Sequence, residues 1–450
     1  MTGRHDIQGN ILRGYASHLH AAYLLTRIEN PEKARGLLAR LVTEDRIARE
    51  RDWDVRPATR LNLALSRAGL SRLGVDAAPF DRFPDFCEGM YARARAHLGD
   101  LGANDPDRWD PALREEIHIL FTVYGHSAPQ RTRAAEELTR ELAGAEVTVV
   151  HDQQADMLRH GREHFGFRDG FSQPALEGVS EDRRSRRGEG VQRPRLRLGG
   201  EEWRNVRLGE FVLGHEDEDG VVPGGGEPLL VNGTFMVWRK LEQHVNAFKA
   251  WIRAHAGDGP DAEEILKAKV LGRWPNGDSL IRRPQAAYAE GTADARQHDL
   301  EINDFSYADD PGGVRCPLGA HVRRSNPRDA LGFRTERTRR NRIIRRGLPY
   351  VDRDETRGLI FVCFNASITR QFEQVQGNWL MGGDTFGLGA QRDFLTAGLD
   401  PGQPTARMTI QGDRAHPPSF IVRDEPFVTV RGGYYLFVPG LEALAKIAGV

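Results

Sequence analysis

The most chemically suggestive stretch of this 450-residue sequence is EHFGFRDGFSQP, which covers residues 163–174. A single aspartate, Asp169, lies there between two glycines, Gly166 and Gly170, in a segment that also carries three phenylalanines. Apolar surroundings disfavour the charged form of a carboxylate, which suits a group that must carry a proton. Asp-Gly is also a common turn signal. The stretch therefore predicts a proton-carrying carboxylate on a loop.

Two further segments contain residues that could act together with such a carboxylate. In CPLGAHVRRSNPRD (316–329), His321 follows a turn of small residues. An imidazole in this position is either a metal or haem ligand or a surface histidine without a special role. In RTRRNRIIRRGLPY (337–350), the arginines indicate a nucleic-acid patch, a solvated basic face or a partly buried segment. Two isoleucines directly before Arg345 favour partial burial, and a buried arginine needs an anion or an acceptor.

Composition and charge exclude several classes of function. The net charge is −1, with 28% charged and 39% hydrophobic residues, so no overall field favours nucleic acid or a membrane surface. Acids at 352–355 balance the arginine-rich segment, and no aromatic residues are interleaved with it for base stacking. No uncharged span approaches 18 residues. Three widely spaced cysteines predict neither a disulfide framework nor a zinc site, and the cytoplasm is the simplest expected location.

The elements that must position these residues follow a pattern that occurs twice. Alternating apolar runs predict strands over 21–28, 61–66, 116–125 and 146–152 in the first half, and over 233–240, 358–366 and 427–440 in the second. Amphipathic spacing predicts helices over 30–42, 128–142, 241–255 and 367–380. This order is that of a βαββαβ ferredoxin-like unit. The prediction is an α+β protein of two tandem ferredoxin-like domains whose antiparallel sheets pack together, of the dimeric α+β barrel type.

The domain boundary is expected in the polar connection between about 153 and 205, which is rich in glycine and arginine. The N-terminal domain would then cover residues 1–204 and carry the loop of Asp169. The C-terminal domain would cover residues 205–450. Long connections inside compact proteins are often functional, which agrees with the position of the aspartate.

Three motifs in this order, GFRDG, GAHVRRSNPRD and IIRRGLPY, resemble those of the dye-decolorizing peroxidases, a family of haem peroxidases. The likeness extends from DIQGNILRG near the N-terminus to VTVRGGYYLFVPGLEAL near the C-terminus. It therefore covers essentially the whole chain. It is greatest for the longer bacterial and fungal-like branch of the family.

The resemblance implies roles for individual residues. His321 takes the position of the proximal ligand of the haem iron, and Asp169 that of the distal aspartate. Arg345 takes the position of the distal arginine, although Arg342 and Arg346 are close enough in sequence to hold it instead. Such a set suits peroxide cleavage, which needs a nitrogen ligand, an acid–base group and a fixed positive charge.

The resemblance also implies the residues that surround this set. Leu359 and Phe361 match the apolar distal wall, and a period of two would place both on one face of a strand. Asp393 is the best match for the carboxylate that hydrogen-bonds the ligand histidine, with Glu373 as a weaker candidate.

The function implied by the resemblance is a peroxidase that contains haem b, acts on hydrogen peroxide through a high-valent iron-oxo intermediate, and oxidises bulky aromatic donors such as dyes and phenols. The alternative is a haem-binding or haem-handling protein with little donor turnover. Neither nucleic acid nor a membrane is an expected partner, and assembly into a homo-oligomer is left open.

Overall fold

The structure is a computed structural model that describes residues 4–15, 17–50, 57–179, 189–194, 201–285, 302–332, 335–414 and 417–450. Its strands are β1 His20–Ile28, β2 Thr59–Leu65, β3 Ile119–Gly125, β4 Val147–Asp156, β5 Val191–Pro194, β6 Glu201–Arg204, β7 Thr234–Gln243, β8 Ile344–Arg345, β9 Leu348–Val351, β10 Arg357–Asn365, β11 Ala406–Ile410, β12 Ser419–Arg423 and β13 Val428–Val438. Its helices are α1 Gly9–Leu12, α2 Pro31–Thr43, α3 Arg67–Arg72, α4 Pro84–Leu98, α5 Ala128–Gly144, α6 Val245–His255, α7 Ala262–Leu271, α8 His321–Ser325, a π-helix Thr369–Leu380 and α9 Leu441–Ala448.

The N-terminal half is a four-stranded antiparallel sheet in the order β4-β1-β3-β2. This order, with α2 and α5 as the crossing helices, is the ferredoxin-like arrangement. Helix α2 begins where the sequence predicts, because the Asn30 side chain accepts hydrogen bonds from the backbone N–H groups of Glu32 and Lys33. Pro31 occupies the first turn of that helix, where its missing N–H costs nothing.

The C-terminal half repeats the same order with β13-β7-β10 and, beyond β10, the short strands β8 and β9. The sequence pattern did not predict the strand at this edge. It is formed by the arginine-rich segment, where Ile344–Arg345 and Leu348–Val351 pair with β10 on either side of a break. The segment that carries the candidate distal arginine is therefore a structural strand of the second unit.

The two units form one continuous sheet. They join where β2 meets β13, through the pairing of Leu65 with Phe437. The α+β class with two ferredoxin-like units is thus confirmed. The sheet is open rather than a closed barrel, and its outer strands β4 and β9 approach each other through a hydrogen bond from Gln153 Nε2 to Asp352 Oδ1 of 3.0 Å.

Both halves contribute to the apolar layers on either face of this sheet. On the inner face, Tyr23 of β1 contacts Trp238 of β7 with ring centroids 6.1 Å apart. On the outer face, α9 of the second half packs against α2 of the first. Burial of side chains such as these is the main favourable contribution to folding. The two units consequently share their cores.

Several details differ from the sequence prediction. Strand β7 continues to Gln243, so α6 begins at Val245 and not at residue 241. Strand β3 begins at Ile119, not at residue 116. The predicted helix over 367–380 is a π-helix, in which the backbone N–H of Glu373 bonds to Ile368 O.

Residues 180–188 and 195–200 of the polar connection lie outside the described residues. None of the described helices is long and apolar enough to span a membrane.

Candidate active site

An open cavity lies against the outer face of β7, β10 and β13 in the second unit. Its volume is about 1730 Å³ when its solvent-open mouth is included. The residues of the sequence-predicted set that line it are Asp169, His321, Arg345, Leu359 and Phe361. The structure therefore brings together side chains from the connection between the halves, from α8, from β8 and from β10.

His321 is the first residue of the short helix α8, and its imidazole is partly exposed to the cavity. Its Nδ1 lies 3.1 Å from Oδ2 of Asp393, which is completely buried. The other carboxylate oxygen, Oδ1, accepts hydrogen bonds of 2.7 Å from the backbone N–H and the hydroxyl of Thr396. No described residue hydrogen-bonds Nε2 of the imidazole, so this nitrogen is available to coordinate a metal.

The electrostatics of Asp393 support an ionised carboxylate behind the imidazole. Burial alone would raise its pKa, but the charge and hydrogen bond of His321, the charge of Arg324 and the hydrogen bond from Thr396 together lower the pKa of Asp393 to about 2. A carboxylate bonded to one ring nitrogen fixes the tautomer of a histidine and makes its other nitrogen a stronger ligand.

Glu373, the weaker candidate for this position, lies elsewhere. Its carboxylate forms a two-pronged ion pair with buried Arg93, at 2.7 and 2.8 Å, and accepts a hydrogen bond of 3.0 Å from the Tyr435 hydroxyl. It therefore connects the π-helix to α4 and β13 and does not contact His321.

Backbone hydrogen bonds fix the position of Asp169 within its loop. The N–H of Asp169 bonds to Gly161 O, and that of Arg168 bonds to Pro275 O, both at 2.9 Å. Gly166 and Gly170 have φ angles of +98° and +85° with no atom near an added Cβ, so backbone conformation and not space calls for glycine.

The nearest charged partner of Asp169 is Arg345. Nη1 of Arg345 lies 3.1 Å from Oδ1 of Asp169, and its Nη2 donates to Phe171 O at 3.0 Å. The sequence suggested aromatic surroundings for the carboxylate, but Phe165 and Phe167 pack into a core around Phe248. The group that hydrogen-bonds the carboxylate is therefore the guanidinium of Arg345, while the three phenyl rings of the stretch line the same cavity.

The structure also shows that Arg345 has different hydrogen-bond partners from the two nearby arginines, Arg342 and Arg346. Arg346 is committed to the N-terminal segment, where it donates to the backbone carbonyls of Asn10 and Ile11 at 3.0 Å. Arg342 lines the cavity but donates to Glu189 O at 3.2 Å, and not to Asp169. Only Arg345 among the three forms an ion pair with Asp169 in the described part of the chain.

The apolar wall follows from the alternation of β10. Leu359 and Phe361 face the cavity, whereas Ile360 and Val362 between and beyond them are fully buried in the inner core. Phe361 also packs against Phe372 of the π-helix, with ring centroids 5.8 Å apart.

Two family models match the sequence. One is described as the DyP dimeric alpha+beta barrel domain and matches residues 6–158, and the other as Dyp-type peroxidase, C-terminal, and matches residues 294–387. A dye-decolorizing peroxidase from Mycena epipterygia is 30% identical over 450 residues, which cover 88% of this chain and 77% of that protein. The chain belongs to the dye-decolorizing peroxidase family.

Other members of the dye-decolorizing peroxidase family agree with this assignment. A multifunctional dye peroxidase from an Amycolatopsis species is 29% identical over 421 residues, covering 86% of this chain and 82% of that protein. A solved dye-decolorizing peroxidase in complex with 2,6-dimethoxyphenol has a TM-score of 0.81 at 26% identity, and each chain is covered completely. A mutant of the Pleurotus ostreatus enzyme has a TM-score of 0.83 at 23% identity over 100% of this chain and 99% of that chain, which supports the fold alone.

The dye-decolorizing peroxidase family implies a haem cofactor, and the cavity of this chain fits such a group. Nε2 of His321, which no described residue hydrogen-bonds, is a nitrogen of the kind that could hold haem iron. Arg342 and Arg273 line the same cavity, and burial together with nearby Arg328 lowers the pKa of Arg342 to about 10 and that of Arg273 to about 9. The acceptors that Arg273 binds, Gly277 O, Ile302 O and Asn303 Oδ1, are all neutral, so the cavity wall keeps a positive charge that an anion would offset, and haem carries two carboxylates.

Several residues that line the cavity of this dye-decolorizing peroxidase were not predicted from the sequence. They are Glu163, Arg239, Gln243, Arg273 and Phe372. Glu163 begins the very stretch that drew attention to Asp169, so its carboxylate was the one available signal. The others lie on β7, on the segment after α7 and on the π-helix, whose side chains the sequence pattern could assign to a face but not to a cavity.

Substitution of Glu373 and of Asp393, the two candidates for the carboxylate behind the proximal histidine, should have clearly different effects on stability and on haem binding. Glu373→Gln should lower the free energy of unfolding by about 3 kcal/mol, because it removes the ionised partner of buried Arg93. It should leave the absorption spectrum of bound haem unchanged. Asp393→Asn should shift that spectrum and weaken haem binding about 10–100-fold, because it removes the carboxylate behind His321. Chemical denaturation and haem titration of both variants check this prediction.

The matched control is Glu88→Gln, since Glu88 binds Arg93 from the exposed side and should change the stability by less than about 1 kcal/mol. A changed haem spectrum in Glu373→Gln, with an unchanged one in Asp393→Asn, would contradict the assignment.

Proposed function

We propose that this protein is a haem b peroxidase that reduces hydrogen peroxide and oxidises bulky aromatic donors such as dyes and phenols. One observation carries the proposal: His321, with Asp393 buried behind it, and the Asp169–Arg345 pair line a single cavity. The names of the relatives, among them a multifunctional dye peroxidase, support the class of donor.

When bound, haem would supply an iron centre that binds peroxide and stores its oxidising equivalents. Nε2 of His321 would hold that iron, while Asp393 accepts the Nδ1 proton and keeps the ring in one orientation. Leu359 and Phe361 would limit the water around the bound peroxide and so strengthen electrostatic interactions there.

Asp169 is the group proposed to move the proton. Its Oδ1 is held by Arg345, and no described residue hydrogen-bonds its Oδ2. Oδ2 can therefore take a proton from one oxygen of peroxide and return it to the other, which departs as water. The guanidinium of Arg345 supplies a positive charge that stabilises the negative charge that develops as the two oxygens separate.

A steady-state assay on the haem-loaded protein tests the proposal. We expect peroxide-dependent oxidation of a bulky anthraquinone dye, with one equivalent of peroxide changing the haem spectrum and the dye restoring it. A haem spectrum that never responds to peroxide would instead leave a haem-binding or haem-handling protein.

The finer parts of the proposal concern the cofactor type and the location. Haem b requires no covalent attachment, and extraction of haem into acidic organic solvent would check it. Cytoplasmic location agrees with three cysteines, Cys87, Cys316 and Cys363, that are all free thiols. Assembly into a homo-oligomer stays a prediction that light scattering can check.

A further inference from the structure

Glu163 is a second carboxylate in the wall of the cavity, and the chemistry proposed above does not use it. Its side chain folds back into its own loop. Oε1 accepts a hydrogen bond of 2.9 Å from Phe167 N, and Oε2 accepts one of 2.9 Å from Phe165 N. Oε2 also accepts a hydrogen bond of 2.5 Å from Nε2 of Gln243 on β7. The carboxylate thus connects the loop of Asp169 to the sheet.

Gln243 carries an independent sign of a ligand at this place. The residue is 8% exposed and lines the same cavity, yet its Oε1 is buried without a hydrogen-bond partner in the described part of the chain. Leaving a buried acceptor unsatisfied costs about 1–3 kcal/mol. Buried polar atoms of this kind are usually satisfied by an ordered water. A water in the cavity beside Gln243 would satisfy Oε1 and lie next to the carboxylate.

The surroundings of Glu163 favour its neutral form more than those of an ordinary glutamate. Burial raises its pKa above the usual value, and the negative charge of Asp169 raises it further. The hydrogen bonds from Gln243, Phe165 and Phe167 act in the opposite direction but do not cancel the effect.

The charged groups that line the cavity with this carboxylate come from several elements. Asp169 belongs to its own loop, and Arg345 reaches that loop from β8 by binding Asp169. Arg273, which follows α7, lines the same cavity, as do Arg168 of the loop and Arg342 before β8. Strand β7 contributes Arg239 as well as the neutral amide of Gln243. Asp169 contributes to the raised pKa of Glu163 through its negative charge. Asp169 is also the residue proposed to move the proton between the two oxygens of peroxide.

A peroxidase that oxidises bulky donors needs a supply of protons. Reduction of one peroxide to two waters consumes two electrons and two protons. A donor too large to enter the cavity delivers electrons there but releases its own protons outside. Asp169 only relocates a proton already carried by peroxide, so another group must bring protons in. This step rests on the proposed function.

We propose that Glu163 and Gln243 form the proton entry site of the cavity. Glu163 holds a proton at its carboxyl group and passes it, through a water held at Oε1 of Gln243, to the carboxylate of Asp169. Glu163 is left ionised, Asp169 is left protonated, and Glu163 then regains a proton from solvent. Glu163 is in this role a relay residue that does not touch peroxide.

The first test measures the proton on Glu163 directly and needs no peroxide. Infrared difference spectra of the haem-loaded protein across pH 4–9 should show a protonated carboxyl band that Glu163→Gln removes. The midpoint of this band should move to lower pH in Asp169→Asn, because a negative charge that raises the pKa of Glu163 is lost. It should move to higher pH in Gln243→Leu, because a hydrogen bond that lowers this pKa is lost.

The second test measures turnover of a bulky dye as a function of pH. Glu163→Gln should reduce kcat about tenfold with little change in KM for peroxide, a smaller loss than that expected for a direct acid–base group. Small weak acids such as formic acid should restore part of the rate, because they can bring protons into the cavity. The spectrum of bound haem should stay that of the parent protein.

The outcomes separate this inference from the proposed function. A carboxyl band that Asp169→Asn does not move, or a loss of rate that is uniform in pH and insensitive to added acid, would leave Glu163 as a support of the loop only. A parent protein that never reacts with peroxide would overturn the proposed function, and the infrared midpoints would still show whether Glu163 and Asp169 are coupled.

Discussion

His321→Ala is expected to lose haem. Removal of a residue that only supports a metal ligand typically costs about 10–100-fold in affinity, so removal of the proposed ligand itself should cost more. His321 is the first residue of α8, and its imidazole is partly exposed to the cavity. Replacing it with alanine leaves the apolar wall at Leu359 and Phe361 intact. Haem titration followed through the Soret band measures the change in affinity.

His255→Ala is the matched control for this prediction. His255 is exposed at the end of α6, where its ring stacks on Trp251, and it does not line the cavity. It should bind haem as the parent protein does. Thermal melting of both variants separates a lost ligand from a lost fold. Haem binding by folded His321→Ala with unchanged affinity and spectrum would refute the assignment of the ligand.

Asp169→Asn is expected to slow the reaction with peroxide by about 10²–10⁴-fold, the range typical of a lost general acid–base group. Asparagine has nearly the same shape and can still accept a hydrogen bond from Arg345, so haem binding and stability should be little changed. Stopped-flow measurement of the haem spectrum after mixing with peroxide gives the rate.

Asp219→Asn provides a control of matched chemistry. Its side chain is 32% exposed against 31% for Asp169, and it is also paired with arginines, Arg339 and Arg340, but it lies outside the cavity. Its rate should equal that of the parent protein. Equal rates for Asp169→Asn and the parent would exclude Asp169 as the group that moves the proton.

Much of the fold follows from the sequence because its strands and helices have regular apolar spacing. Leu37 and Leu41, for example, are buried where the helical spacing of α2 places them. The strand at the outer edge of the second unit was missed, since Arg346 breaks the apolar alternation of Ile344, Leu348 and Tyr350, and Gly347 and Pro349 disfavour a strand. Its pairing with β10 is a property of the folded sheet and not of the segment itself.

The types of residue in the candidate site could be predicted from the sequence, but not which side chains pair with each other. Three arginines within five positions, Arg342, Arg345 and Arg346, cannot be told apart from spacing alone. The pairing of Arg345 with Cys363 across β8 and β10 decides which guanidinium reaches Asp169. The role of Glu163 was hidden for a similar reason, because a sequence does not show that a side chain turns back into its own loop.

The junction of the two units, where Leu65 of β2 pairs with Phe437 of β13, has a consequence for how the protein unfolds. The backbone contact there is slight, but both apolar layers contain residues of both units. The division into domains of residues 1–204 and 205–450 stays a prediction about where the two ferredoxin-like units begin and end along the chain. Either unit alone would expose the apolar face that the other covers, so neither offers a stable intermediate. The chain should therefore melt in a single cooperative transition, and damage far from the cavity in the first unit should release haem as readily as damage beside it.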